Sequence, residues 1–151
     1  MSQSPRDPMF ELVGALPDQI EASRRILDAV ETPTHAARRR VLLSGMGGSA
    51  AAGSLAAGIL DRQTTQLVVN RGYTLPGWAD EDTLLIFSSY SGNTEEVLSA
   101  WREAERRLPD APRLVISSGG ELAGLADARG VTRATLPGGL PPRASLGYGV
   151  G

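Results

Sequence analysis

The chain of 151 residues contains no cysteine and no lysine, and His35 is its single imidazole. Without cysteine there is no disulfide framework, no thiolate nucleophile and no zinc-thiolate site. All 15 basic residues are arginine, so there is also no Schiff base, no pyridoxal-phosphate anchor and no Walker-type phosphate-loop lysine. One histidine excludes a His-x-x-x-His zinc helix and leaves at most one candidate base for a serine hydrolase. A basic excess is lacking too: 15 arginines face 17 acidic residues, for a net charge of -2, which argues against a nucleic-acid surface. Long apolar runs are missing. The longest weakly polar stretch, 49–60, is mostly Ala and Gly and too short to span a bilayer. Met1 to Phe10 lacks the basic segment and apolar run of a secretory leader. These readings predict a cytoplasmic protein with no nucleic-acid and no membrane partner. What is present, 41% hydrophobic residues with 5% aromatics, suits one folded domain packed mainly by aliphatic side chains.

Leu16, Ile20, Ser23, Leu27 and Val30 recur at helical spacing, with Pro17 near the start and Pro33 beyond the end, which predicts an amphipathic opening helix. After Arg38-Arg39-Arg40, a solvated strand entry, Val41 to Ser44 is too short for a helix and reads as a buried strand. A small-residue helix from about Ser49 to Leu60 follows, then strands at Leu67–Asn70 and Thr83–Ser88 joined by a loop containing Pro76-Gly77. The stripe Val97, Trp101, Ala104, Leu108 predicts a core-facing helix closed by Pro109 and Pro112. A fourth strand at Arg113–Ser117, a short helix at Glu121–Ala128 and a fifth strand at Val131–Leu136 complete the pattern. Strands alternating with helices imply parallel pairing. The fold class expected is α/β, a doubly wound open sheet of five parallel strands flanked by helices. In such sheets ligands bind beyond the carboxyl ends of the strands, where strand order reverses.

Three loops at those ends carry candidate chemistry. Gly45-Met46-Gly47-Gly48-Ser49 joins the first strand to a helix, so its backbone can approach a ligand and its helix amides can meet an anion. Gly45, Gly47 and Ala50 also fit a relaxed dinucleotide fingerprint. Asn70-Arg71 stands where that site wants an acidic ribose partner, and the Arg suits a 2′-phosphate, so an NADP-binding reading stays open. Ser88 to Thr94 leaves the third strand with hydroxyls at Ser89, Ser91 and Thr94, while Gly92 permits a tight turn; this is a phosphate cradle that needs no lysine. Each hydrogen bond to a charged acceptor is worth about 1.5 to 3 kcal/mol and the helix dipole roughly 0.3 to 1 kcal/mol. Ordinary helix capping, with Glu95 and Glu96 in the first turn, is the plainer alternative. Pro137 to Ala144 follows the fifth strand, and its consecutive prolines can deliver Arg143 to a fixed place as an oxyanion partner. Asp80-Glu81-Asp82 reads as a solvated turn rather than a metal cluster, and His35 precedes the first strand, away from these loops.

Gly-Met-Gly-Gly-Ser-Ala at 45–50, Ser-Tyr-Ser-Gly-Asn-Thr-Glu at 89–95 and Gly-Gly-Leu-Pro-Pro-Arg-Ala at 138–144 together resemble the sugar isomerase (SIS) domain of bifunctional phosphoglucose/phosphomannose isomerases. The resemblance implies interconversion of glucose 6-phosphate or mannose 6-phosphate with fructose 6-phosphate through an enediolate, without metal or organic cofactor. It implies a flavodoxin-like strand order, that Ser89, Ser91 and Thr94 bind the phosphate, that Gly47, Gly48 and Ser49 line the sugar, that Gly92 and Asn93 also bind substrate, and that Arg143 is catalytic and faces the enediolate. It divides the chain into a tail and helix at 1–35 and the phosphosugar-binding domain at 36–151. Members of this family contain a second SIS domain that supplies a carboxylate base, a ring-opening His and a Lys, with no counterpart here. The expectation is an amino-terminal half, inactive alone, that pairs with a second SIS domain or homodimerises. A phosphosugar-sensing module without catalysis is the alternative from another class.

Overall fold

The computed structural model describes residues 14–31, 40–60, 64–141 and 145–150. His35, Arg38, Arg39 and Arg143 lie outside the described residues. In chain order the elements are α1 (Leu16–Asp28), β1 (Arg40–Gly45), α2 (Gly47–Ile59), β2 (Gln66–Asn70), β3 (Leu84–Ser88), α3 (Glu95–Arg107), β4 (Arg113–Ser117), α4 (Gly120–Arg129), β5 (Arg133–Thr135) and α5 (Leu146–Val150). The five strands form one parallel sheet in the order β2-β1-β3-β4-β5, parallel as the alternation of strands and helices requires and in the flavodoxin-like order that the SIS resemblance implies. β5 is shorter than the 131–136 apolar stretch, and α2 starts at Gly47, ahead of the small-residue run.

The core forms where α3 and α4 press on the sheet. Val97, Trp101, Ala104 and Leu108 are all buried with Leu85, Phe87 and Val115, as the stripe requires. Trp101 meets Phe87 edge-on, ring centroids 5.1 Å apart, a geometry favoured by the ring quadrupoles. Arg113 is 5% exposed at the start of β4, and its guanidinium donates to the carbonyls of Ala104 (3.1 Å) and Leu108 (2.6 Å). It also pairs with Glu105 and lies over Trp101. It thereby adds a charged donor to two carbonyls at the end of α3 that also accept from the Leu108 (2.9 Å) and Ala111 (3.2 Å) amides.

β2 and β3 lie on either side of β1, yet no helix crosses between them. An irregular segment, 71–83, makes the crossover and puts Leu75 and Ala79 into the core in place of a helix face. Glu103 on α3 fixes it at one point, accepting from the Leu75 amide (2.7 Å) and from Arg107 (2.8 Å). At another, Asp80 accepts from the Thr83 hydroxyl (2.9 Å) and from Arg40 (2.5 Å), and both bonds hold its carboxyl below the usual range, against a smaller opposing effect of burial. Asp80 thus builds the turn into β3. Among the described residues no group of three or more His, Cys, Asp or Glu side chains is placed to hold a metal ion. No helix among them is long and apolar enough to cross a membrane.

α1 differs in detail from its apolar stripe. Its two buried residues are polar, Gln19 and Ser23, while Leu16, Ile20 and Leu27 are half-buried. The reason is α5, which packs on α1 through backbone: Ser23 Oγ donates to the Tyr148 carbonyl (2.8 Å) and the Gly147 amide donates to Gln19 Oε1 (3.2 Å). A Cβ on Gly147 would sit 2.6 Å from that of Gln19, and one on Gly149 would sit 2.7 Å from that of Ala52. Backbone approaching that closely brings its own polar groups, which only polar side chains satisfy. α2 meets the sheet through Gly53, against Leu43 and Val69, and leaves Leu55 and Ile59 exposed, Ile59 at 80%.

Candidate functional site

β1 and β3 are neighbours whose following helices leave in opposite senses along the sheet, so the strand order reverses between them. Gly45 and Ser88, their last residues, stand side by side. A crevice at that point is the expected ligand position in an open α/β sheet. There the structure has a cavity of ≈ 240 Å³ lined by Met46, Gly47, Gly48 and Ser49 from the first loop and Ser88, Tyr90, Ser91 and Thr94 from the second. Leu136, Ser145 and Gly149 close it from beyond β5 and from α5. The first two loops selected by sequence therefore meet at one place, and of the third, 137–144, only the flanking Leu136 and Ser145 line the cavity among the described residues. Volume of this order lies at the small end of ligand cavities.

Two helix amino termini open onto the cavity, those of α2 and α3, and neither has a side-chain cap. The first amides of such helices have no partner inside the helix and carry the positive end of its dipole. No described residue lining the cavity is charged. Attraction for an anion thus comes from amides and hydroxyls, the donor type suited to a phosphate ester at a site without lysine.

Of the hydroxyls expected to converge, Ser91 and Thr94 line the cavity. Ser89 does not: it is 2% exposed, accepts from the Gly92 amide (3.1 Å) and shares a 2.7 Å hydrogen bond with Thr94 Oγ1. When Ser89 donates in that pair, the Thr94 proton is free for an acceptor in the cavity, and the amide of Gly92 polarises the chain behind it. Ser91 Oγ accepts from the Asn93 amide (3.3 Å). Asn93 turns outward, its Oδ1 accepting from the Glu121 amide (2.9 Å) at the start of α4. Gly92 has φ of 72°, and an added Cβ would fall 1.8 Å from the Gly119 carbonyl oxygen; its own carbonyl accepts from Leu122 (2.9 Å). Gly92 and Asn93 are thus seated against the β4–α4 turn rather than on the cavity. Gly47, Gly48 and Ser49 all line it.

Sequence reasoning did not single out Tyr90, Met46, Ser88, Leu136, Ser145 or Gly149, which also line the cavity. Only Tyr90 carried a signal, as the lone aromatic within a Ser/Gly/Thr loop. The side chains at the end of β2 are engaged elsewhere. Asn70 Nδ2 donates to Ser44 Oγ (3.3 Å) and the Thr74 carbonyl (3.1 Å), and Arg71 donates to Ser54 Oγ (2.7 Å) on α2. Neither is poised for a ribose, which counts against the dinucleotide reading. Glu95 and Glu96 stand in α3's first turn, where the Glu96 charge, followed by burial and the Glu95 charge, makes the exposed Tyr73 phenol harder to ionise than usual.

Comparison with known proteins agrees with this geometry. No family model matches the chain. It is 42% identical over 142 residues to a bifunctional phosphoglucose/phosphomannose isomerase of Caldicellulosiruptor bescii, an alignment that takes in 93% of this chain and 41% of that protein. The chain therefore spans less than half the length of the curated relatives it matches. Among solved structures, tagatose-6-phosphate ketose/aldose isomerase from Escherichia coli superposes with a TM-score of 0.66 at 18% identity, over 99% of this chain and 47% of that one. The NanR protein of Vibrio vulnificus, solved with ManNAc-6P, gives 0.59 at 17% identity, over 91% and 55%. These structures share the fold.

Proposed function

A relative of part of the bifunctional phosphoglucose/phosphomannose isomerases, this chain, we propose, carries the phosphate-holding portion of an aldose-ketose isomerase site. The observation that supports the reading is the convergence of two uncapped helix termini and the Ser91 and Thr94 hydroxyls on one cavity at the strand-order switch. The phosphate of glucose 6-phosphate, mannose 6-phosphate or fructose 6-phosphate accepts from Ser91, Thr94 and the amides around them, with Ser89 behind Thr94. The sugar then extends along Gly47, Gly48 and Ser49.

Isomerisation moves a proton between the adjacent carbons C1 and C2 as the carbonyl passes from one to the other, and the intermediate gathers charge on its enediolate oxygens. Helix amides at the α2 terminus and the guanidinium of Arg143 are the groups this reading assigns to that charge. Removing one such donor costs about 3 kcal/mol in transition-state binding. The proton itself needs a base. Since no described residue lining the cavity is a carboxylate or an imidazole, the base comes from a second SIS unit, and the isolated chain binds without turning over. Leu55 and Ile59, exposed on α2, support pairing with such a unit or with a second copy, which light scattering at high concentration tests. The same reading puts the protein in the cytoplasm, which cell fractionation tests.

Titration of the purified chain with fructose 6-phosphate and with NADPH separates the possibilities. Binding of the phosphosugar in the micromolar to millimolar range, no turnover alone, and turnover on adding the remaining part of a bifunctional relative are the expected results. Tight NADPH binding with no phosphosugar response would overturn the proposal. A non-catalytic phosphosugar sensor is the second reading, favoured by the lack of a carboxylate or imidazole among the described lining residues and by the fold shared with a protein solved with ManNAc-6P. It predicts binding with no turnover under any complementation.

A further inference from the structure

The turn after β5, Pro137 to Leu140, has Gly139 at φ 90°, the conformation a type II turn needs at its third residue. Such a turn ordinarily closes on itself, the carbonyl of its first residue accepting from the amide of its fourth. Here a side chain from another loop stands between them. The Tyr90 hydroxyl donates to the Pro137 carbonyl (2.8 Å) and accepts from the Leu140 amide (3.0 Å). One phenol therefore completes both halves of a turn 47 and 50 residues away in sequence. Its own backbone is held just as firmly, because the Tyr90 carbonyl accepts from the amide (3.0 Å) and the hydroxyl (2.6 Å) of Ser118.

Tyr90 sits between Ser89 and Ser91 and lines the same cavity. The turn it completes directly follows Leu136, which with Ser145 lines the cavity from beyond β5. We infer that Tyr90 is a positioning residue that makes the sugar-facing wall of the site depend on the phosphate-facing loop. The inference rests on the phosphosugar reading of the cavity. Its consequence is selective: the phenol holds the wall beyond β5 and takes no part in the Ser91, Thr94 and amide contacts that hold a phosphate. Loss of the hydroxyl leaves inorganic phosphate binding intact and weakens capture of the whole phosphosugar.

The test compares Kd for inorganic phosphate and for fructose 6-phosphate in wild-type chain, Tyr90→Phe, Leu140→Pro and the double variant. Leu140→Pro removes the amide donor from the other end of the same tether. Expected is a loss of about tenfold in fructose 6-phosphate affinity for Tyr90→Phe, with phosphate affinity within about twofold of wild type and no further loss in the double variant. A purely structural contribution would lower both affinities together. Hydrogen exchange gives a second readout, the Leu140 amide being protected in wild type and fast in Tyr90→Phe. Unchanged discrimination in Tyr90→Phe, or a parallel fall in both affinities, would overturn the inference while leaving the cavity's function standing. Wild-type chain that binds neither ligand overturns the site reading itself, and this inference with it.

Discussion

At Gly92 a single carbon decides whether the second loop can seat. A Cβ there would meet the Gly119 carbonyl oxygen at 1.8 Å and its carbon at 2.7 Å, both backbone atoms with nowhere to retreat, and the left-handed φ adds strain for any L side chain. Gly92→Ala is expected to cost about 2 to 3 kcal/mol in urea unfolding. It should also weaken phosphate binding, because Ser89, Ser91 and Thr94 are arranged around that turn. A variant with wild-type stability would show that the loop does not need the close approach. Ser89 carries a different lesson at the same scale. From sequence its hydroxyl was one of three aimed at a phosphate; in the structure it supports Thr94 from behind. A spacing of hydroxyls along a loop does not say which face of the loop each one takes.

Among the elements, α5 shows how a short helix can shape a site from its edge. It packs on α1 and α2 through glycine backbone and contributes Gly149 to the cavity wall. Gly149→Ala places its new Cβ 2.7 Å from the Cβ of Ala52, so α5 must move off α2. We expect a loss of about 1 to 3 kcal/mol in thermal or chemical unfolding, with a larger fall in fructose 6-phosphate affinity than in phosphate affinity. Equal affinities for both ligands in variant and wild type would remove α5 from the site. The stripe on α3 was legible because four large or small apolar residues at helical spacing admit one buried face. The polar face of α1 was not, since Gln19 and Ser23 are buried only because α5 arrives there with unpaired backbone groups.

For the molecule as a whole, Glu103 couples the one helix-free crossover to the rest. Burial alone would raise its carboxyl, but the hydrogen bonds from Arg107 and the Leu75 amide outweigh it and hold the group below the ordinary carboxylate value. A carboxyl depressed in the folded state contributes stability that is complete above its unfolded value and is lost as pH falls through the folded one. Glu103→Gln should therefore be less stable than wild type near neutrality, by about 1 to 2 kcal/mol. The difference should shrink as pH is lowered past the usual carboxylate range, in urea unfolding followed by circular dichroism. A gap that stays constant from neutral pH into acid would show that the charge is not what holds the crossover. By itself the sequence determined the alternation of strands and helices, the parallel pairing of the sheet, and the first two loops at its ligand-bearing edge, because hydropathy period and turn chemistry are local properties of the chain. Only the tertiary structure decided that Ser89 faces inward, that Asn93 serves the β4–α4 turn, and that Tyr90 completes a turn far along the chain. Those outcomes depend on which backbone groups are left without partners once the elements have packed, and that need arises only between segments distant in sequence.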